Sequence, residues 1–234
     1  MINNKRLVVL DTETTGINNI GLPHYNHRII EIGAVEIMNR HFTEKNFHVY
    51  IQPNRKIDSS AFKIHGITDH FLLNKPTFKD IVQDFLKYIK DCTLIIHNAT
   101  FDIGFIEQEM SFLNMNIKKI SDYCSVIDTL KIARELFPGK KNTLDALCTR
   151  YKINISQRNV HSAILDARLL GKLYLLMTGG QKSMFFLDKI NNIDINFSKK
   201  MMRKNNSKLK VIHANAEEIK KHREYMNMIK KIFL

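Results

Sequence analysis

Cysteine is scarce in this sequence of 234 residues: Cys92, Cys124 and Cys148 are the only three, and no two form a Cys-x-x-Cys pair. An odd, widely spaced set argues against a disulfide framework and a zinc knuckle, and fits a reducing cytoplasm. Long apolar runs are missing too. Lys172 interrupts the best candidate, Leu169 to Met177, and a membrane span requires ~18 apolar residues. Met1-Ile-Asn-Asn-Lys-Arg6 leads directly into a strand-like run, without signal-peptide architecture. A cytoplasmic protein with no membrane partner is the expectation.

Acidic residues are also in deficit, 23 against 36 Lys+Arg, for a net charge of +13. Such a balance points to nucleic acid, although the preponderance of lysine over arginine, with abundant Asn and Ile, also fits a genome rich in A and T. The location of the charge is more informative. Residues 1–180 hold 23 basic and 18 acidic side chains, whereas residues 181–234 hold 13 and 5. The tail is therefore a different kind of segment from the body. The body has ample apolar residues for a core of its own, at 44% of the whole sequence.

Three β-rich runs come first, Arg6–Leu10, Arg28–Ile37 and Asn46–Ile51, bounded by Gly16, Gly21-Leu-Pro23 and Pro53. Phe78, Ile81, Val82, Phe85, Leu86 and Ile89 then recur at helical spacing over 77–89, with Thr77 and Asp80 as an N-cap signal. A short strand is expected at 94–97, and helices at 101–113, 128–137, 143–151 and 162–177. Early hairpins followed by a strand alternating with helices predict an α/β domain, a mixed central sheet flanked by helices. Thr178-Gly-Gly-Gln181 ends the last long helix, so the boundary between a domain of 1–180 and a tail of 181–234 is placed there. Residues 198–210 read as a flexible basic linker. Asn215-Ala-Glu-Glu218 resembles a capping box, and Ile219, Met226, Ile229 and Phe233 follow at near-helical spacing. A single apolar stripe needs covering, either by a partner or by the chain's own domain.

The chemistry-bearing residues are acidic. Asp11 and Glu13 lie at the end of the first apolar strand, where residues i and i+2 share a face. Paired carboxylates repel unless a cation sits between them, and Mg²⁺ favours such hard oxygen ligands. Two metals would clamp the attacking and leaving oxygens of a phosphodiester. In isolation, Asp-x-Glu also suits a solvated strand end. Asp102 falls in the first turn of a helix, where the helix dipole alone would favour it. Asp166 sits among Ile164, Leu165, Leu169 and Leu170, and if buried it needs a cation. Five residues of regular helix would splay His161 and Asp166 by about 140°. His161 is therefore expected in the loop before that helix, where it reads as a general base or a plain surface histidine.

Asp11-x-Glu13, Asp102 and His161-x₄-Asp166, in this order, resemble the DEDD exonuclease superfamily in its histidine-containing branch. Longer blocks resemble the proofreading epsilon subunits of bacterial DNA polymerase III. These are Leu10-Asp-Thr-Glu-Thr-Thr-Gly16, Ile29-Ile-Glu-Ile-Gly-Ala-Val35, Ile64-His-Gly-Ile67, His97-Asn-Ala-Thr-Phe-Asp-Ile-Gly-Phe105 and Asn142-Thr-Leu-Asp-Ala-Leu147. The resemblance implies a ribonuclease H-like fold and 3′→5′ hydrolysis of DNA with release of nucleoside 5′-monophosphates. It implies two divalent ions, Mg²⁺ or Mn²⁺, held by Asp11, Glu13, Asp102 and Asp166. His161 would be the base, and Asp11, Glu13, His65 and Asp166 would meet substrate. His65 also fits a plain turn residue before Gly66. Ser60 departs from the pattern, since close relatives often carry a substrate-touching glutamate there.

Gln181-Lys-Ser-Met-Phe-Phe186 is similar to peptides that insert a glutamine and apolar anchors into a sliding clamp, and also suits a simple extension of the core. The segment from about 208 to 234 resembles the part of the family that docks on the polymerase catalytic (alpha) subunit. The implied partners are therefore DNA 3′ ends, that subunit, the clamp and a small accessory subunit. A free-standing RNA-trimming nuclease and a non-catalytic polymerase adaptor are the competing readings. The tail argues against the first, and the five filled catalytic positions argue against the second.

Overall fold

The computed structural model describes residues 6–113, 119–155, 160–179 and 214–232, with side chains up to 227 in the last segment. The clamp-like peptide 181–186 and the linker 198–210 lie outside the described residues. The chain divides into two units, 1–180 and 181–234.

Five strands form one mixed sheet: β1 (Leu7–Thr14), β2 (Ile29–Met38), β3 (His41–Tyr50), β4 (Thr93–Ile96) and β5 (Ser125–Asp128), in the order β3-β2-β1-β4-β5. β1, β2 and β3 pair antiparallel, whereas β4 and β5 run parallel to β1. The β2–β3 hairpin closes through Asn39 and Arg40, both with positive φ (50° and 66°). Left-handed conformation at both central residues gives a turn whose twist matches that of the flanking strands.

Helices cover both faces, because successive strand residues point to opposite sides. On one side, Leu10 and Ile32 pack with Phe85 of α3 (Phe78–Ile89) and Phe105 of α4 (Ala99–Phe112). On the other, Val9 and Val35 pack with Ala133 of α5 (Thr129–Leu136), Leu147 of α6 (Leu144–Arg150), and Ala167 and Leu170 of α7 (Ala163–Met177). Two shorter helices, α1 (Ser59–His65) and α2 (Asp69–Leu72), lie between β3 and α3 in sequence. Ile67 and Leu72 from this region pack on Ile30. Among the described residues, no helix is long and apolar enough to cross a membrane.

Two close approaches fix the layers. Glu109 of α4 is buried; it accepts two bonds from Arg28 (2.7 and 2.6 Å) and one from the Ile29 N–H (3.1 Å). This bidentate pairing ties α4 to the start of β2. On the opposite face, α7 comes so near β2 that a Cβ on Gly33 would lie 2.5 Å from the Ile164 Cα and closer still to the Ala163–Ile164 peptide. Only glycine leaves room there.

The expected α/β architecture is the one observed. The Thr77–Asp80 capping box is present, with the Thr77 N–H 2.8 Å from Asp80 Oδ2. β1 runs four residues past the expected end at Leu10, because β2 pairs with it as far as Thr14. Asp11 and Glu13 therefore lie within the strand, as their shared face requires. β3 begins at His41 rather than Asn46, carried there by the hairpin. β5, α1 and α2 are additions to the sequence reading, each four to seven residues long.

The second unit contains α8 (Ala216–Ile232). Asn215 and Glu218 exchange the two bonds of a capping box, at 2.8 and 2.9 Å.

Candidate active site

β1 delivers carboxylates in the pattern that its pleat dictates. Val9, Asp11 and Glu13 share the face that packs against α7, whereas Leu10 and Thr12 share the face toward α4. α7 brings Asp166 to the first of these faces. It is 3% exposed and sits in the first helical turn. Ligand atoms of Glu13, His161 and Asp166 all lie within 4.8 Å of one another. Two carboxylates and an imidazole so close together form a donor set suited to a divalent cation.

His161 precedes the helix, outside its regular turns, with Ser162 as the N-cap. Its backbone N–H donates to the Ile64 carbonyl (3.1 Å), anchoring the loop to the end of α1. Because His161 is off the helix, its ring can fold back, and Nδ1 reaches Asp166 Oδ2 at 3.2 Å. The angular divergence of a continuous helix is thereby avoided. The ring remains accessible, with its side chain 42% exposed.

Asp102 approaches from the other side of the sheet. β4 ends at Ile96, and α4 starts after Asn98, whose left-handed backbone (φ 68°) makes the sharp entry. The His97 ring fixes this corner, with Nδ1 2.9 Å from Thr129 Oγ1 and Nε2 2.9 Å from the Asn142 carbonyl. Burial pushes the His97 pKa down, against the Asn142 carbonyl. Asp102 is 3% exposed and accepts a 2.7 Å bond from Thr12 Oγ1. Desolvation raises its carboxyl to about 7, with the Thr12 hydroxyl opposing. Asp11 shares the face of Glu13, two residues back on β1, but is outside the 4.8 Å group.

His65 ends α1 and is buried. Its Nδ1 accepts from the Ile67 N–H (3.0 Å), and burial lowers its pKa. Ser60 is exposed on α1. Thr12, Glu31 and Ser162 also belong to this region, although no short motif marks them in the sequence. Glu31 is fully buried, stands opposite Glu13 in the β1–β2 register and accepts from Ser162 Oγ at 3.0 Å. One signal was available: a charge within the apolar run Ile29–Val35 requires a partner.

The profile of the RNase_T exonuclease family matches residues 8–174. The DNA polymerase III subunit epsilon of Buchnera aphidicola subsp. Schizaphis graminum is 61% identical, over 99% of this chain and 100% of its own. The subunit of the same name from Escherichia coli K12 is 49% identical, over 97% and 94%. Among solved structures, Exonuclease X in complex with 5′ overhanging duplex DNA is similar, with a TM-score of 0.53 and 25% identity. That match covers 75% of this chain and 94% of the other. The nuclease domain of 3′hExo, a DEDDh family member bound to rAMP, shares the fold at a TM-score of 0.63 and 15% identity, covering 75% and 92%. With the family profile spanning the whole α/β unit and the epsilon subunits aligning from end to end, this chain belongs to the RNase_T exonuclease family and, within it, to the DNA polymerase III epsilon subunits.

Proposed function

We propose that this chain is the 3′→5′ proofreading exonuclease of a bacterial replicative DNA polymerase, removing mismatched primer ends as nucleoside 5′-monophosphates. The observation that carries the reading is the convergence of Glu13, His161 and Asp166 within 4.8 Å, in a chain that aligns with epsilon subunits over its full length. End-to-end similarity includes the tail, and so favours a polymerase-held enzyme over a free-standing trimming nuclease.

Family membership makes the enzyme metal-dependent, and the neighbouring Glu13 and Asp166 carboxylates fit that requirement. Asp11, Glu13 and Asp166 would hold two divalent ions, Mg²⁺ or Mn²⁺, with Asp102 completing the set. When bound, such ions supply Lewis-acid activation and stabilise charge on the departing 3′ oxygen. The chain's own part begins with His161. Its Nδ1 lies against the Asp166 carboxylate, so the ring proton belongs on Nδ1 and the lone pair on Nε2. Nε2 is then the atom that takes a proton from the attacking water. Asp11, Glu13 and Asp166 also border the place of the scissile phosphate, with His65 holding the terminal nucleotide. Ser60 cannot supply the carboxylate contact that a glutamate would.

The tail is read as the tether. Residues 181–186 would engage the sliding clamp, and the segment from about 208 to 234, including α8, the polymerase catalytic subunit. Ile219 and Met226 of α8 are exposed, as a helix awaiting a partner requires. The setting is cytoplasmic.

Two outcomes are expected of the hydrolysis itself. Full-length chain releases nucleoside monophosphate from a 3′-mismatched primer with Mg²⁺ or Mn²⁺ and stops on addition of EDTA. His161→Gln lowers kcat by about 10²–10⁴-fold without changing the metal concentration needed for half-activation. A shift in that concentration would instead make His161 a ligand.

Asp102 gives a pH signature. Its carboxyl titrates at about 7 when folded, against an ordinary 3.8. The folded chain thus keeps a proton that the unfolded chain releases, so the contribution of Asp102 to the stability of metal-free protein is fully present below pH ~4 and is lost as pH rises through ~7. Between pH ~4 and ~7 the urea midpoint of the wild type should lose ground relative to that of Asp102→Asn; coincident profiles would contradict the assignment.

Truncation after Gly180 should spare hydrolysis of single strands and abolish co-elution with the polymerase catalytic subunit. Retained co-elution would remove the tail from that role.

A further inference from the structure

Glu31 sits on β2 between Ile30 and Ile32 and is fully buried. Its Oε1 accepts from His48 Nε2 at 2.8 Å and from Ser162 Oγ at 3.0 Å. Its Oε2 has no hydrogen-bond partner among the described residues. A buried carboxylate with one oxygen unsatisfied opposes folding. Fold stability therefore does not explain its presence, and its bonding partner suggests what does.

Ser162 is the N-cap of α7, where a serine hydroxyl ordinarily accepts from a backbone N–H of the first turn. Here it makes no capping bond and donates instead across the layer to Glu31. Two residues along β2 on the same face, Gly33 lets the Ala163–Ile164 backbone rest directly on the strand. β2 thus grips the start of α7 at two successive points. His161 immediately precedes that grip, and Asp166 follows within one turn. Glu13 lies opposite Glu31 in the sheet register, so the same β2 residue faces both halves of the Glu13–His161–Asp166 group.

We infer that Glu31 is a positioning residue which, through Ser162, sets His161 and Asp166 at their working distance from Glu13. The inference rests on the proposed roles of His161 and Asp166. Its energetic logic is that of preorganisation: a small displacement of a reacting group costs rate rather than binding.

Full-length Ser162→Ala, Ser162→Thr, Glu31→Gln and the Ala/Gln double variant, with His161→Gln alongside, provide the test on a single-stranded oligonucleotide at saturating Mn²⁺. Ser162→Ala is expected to lower kcat about 10- to 100-fold with KM unchanged. Its melting temperature should fall modestly, because the buried Glu31 carboxylate loses one of its donors while the α7 cap is unaffected; kcat is therefore read well below that temperature. Ser162→Thr should restore kcat, and the double variant should be no slower than the slower single one, as for two residues acting through one bond. A wild-type kcat in Ser162→Ala, or losses that multiply in the double variant, would overturn the inference. An inactive His161→Gln beside a fully active Ser162→Ala would sink the positioning role alone. An active His161→Gln would overturn both it and the base assignment beneath it.

Discussion

Asp11 and Glu13 project from one face of a strand whose neighbours Val8, Val9 and Leu10 have no exposure to solvent. Like charges on consecutive same-face positions raise each other's free energy, and partial burial adds to the penalty. Much of the surrounding structure can be traced to that strain. α7 closes over the same face and contributes a third carboxylate, Asp166, with the His161 ring against it. From the opposite face α4 contributes Asp102, held by the Thr12 hydroxyl and raised to about 7. A scaffold that gathers acidic groups from both sides of one strand is poorly suited to stability by itself. It is well suited to binding cations, which convert mutual repulsion into shared coordination.

Sheet topology makes this convergence possible. β1 is the middle strand, antiparallel to β2 on one side and parallel to β4 on the other. Where β1 and β4 end, the chain leaves β4 through the left-handed turn at Asn98 and enters α4. The crevice beyond the carboxyl ends of parallel strands is the usual place for ligands in open α/β sheets. Here the long antiparallel β2 also passes beside it, and Glu31 and Gly33 tie that strand to α7. Across the sheet, the Glu109–Arg28 pair does the same for α4. The two helices that carry site carboxylates, α4 and α7, are thus referenced to one strand.

Much of this was legible in the sequence because it depends on local period. The i, i+2 spacing of Asp11 and Glu13 needs only a strand, and the exclusion of His161 from α7 needs only helical geometry. The Asn215–Glu218 capping box is a four-residue pattern. Features set by pairing partners were harder to read. The apolar run stops at Leu10, but β1 continues to Thr14 because β2 supplies its hydrogen bonds. β5, at four residues, and α1 and α2, at seven and four, are too short to display a period. The Thr12–Asp102 bond spans 90 residues of sequence and the Ser162–Glu31 bond 131. No local pattern encodes either contact.

Metal binding by the β1 carboxylates is the property on which the site's chemistry depends most directly. Titration of full-length chain with Mn²⁺ above pH 7, followed by calorimetry or by the loss of free-ion signal, measures this without reference to turnover. Two ions per chain are predicted for the wild type, with loss of that binding and an unchanged circular dichroism spectrum for the Asp11→Ala/Glu13→Ala variant. Equal stoichiometry and affinity in the two proteins would contradict it.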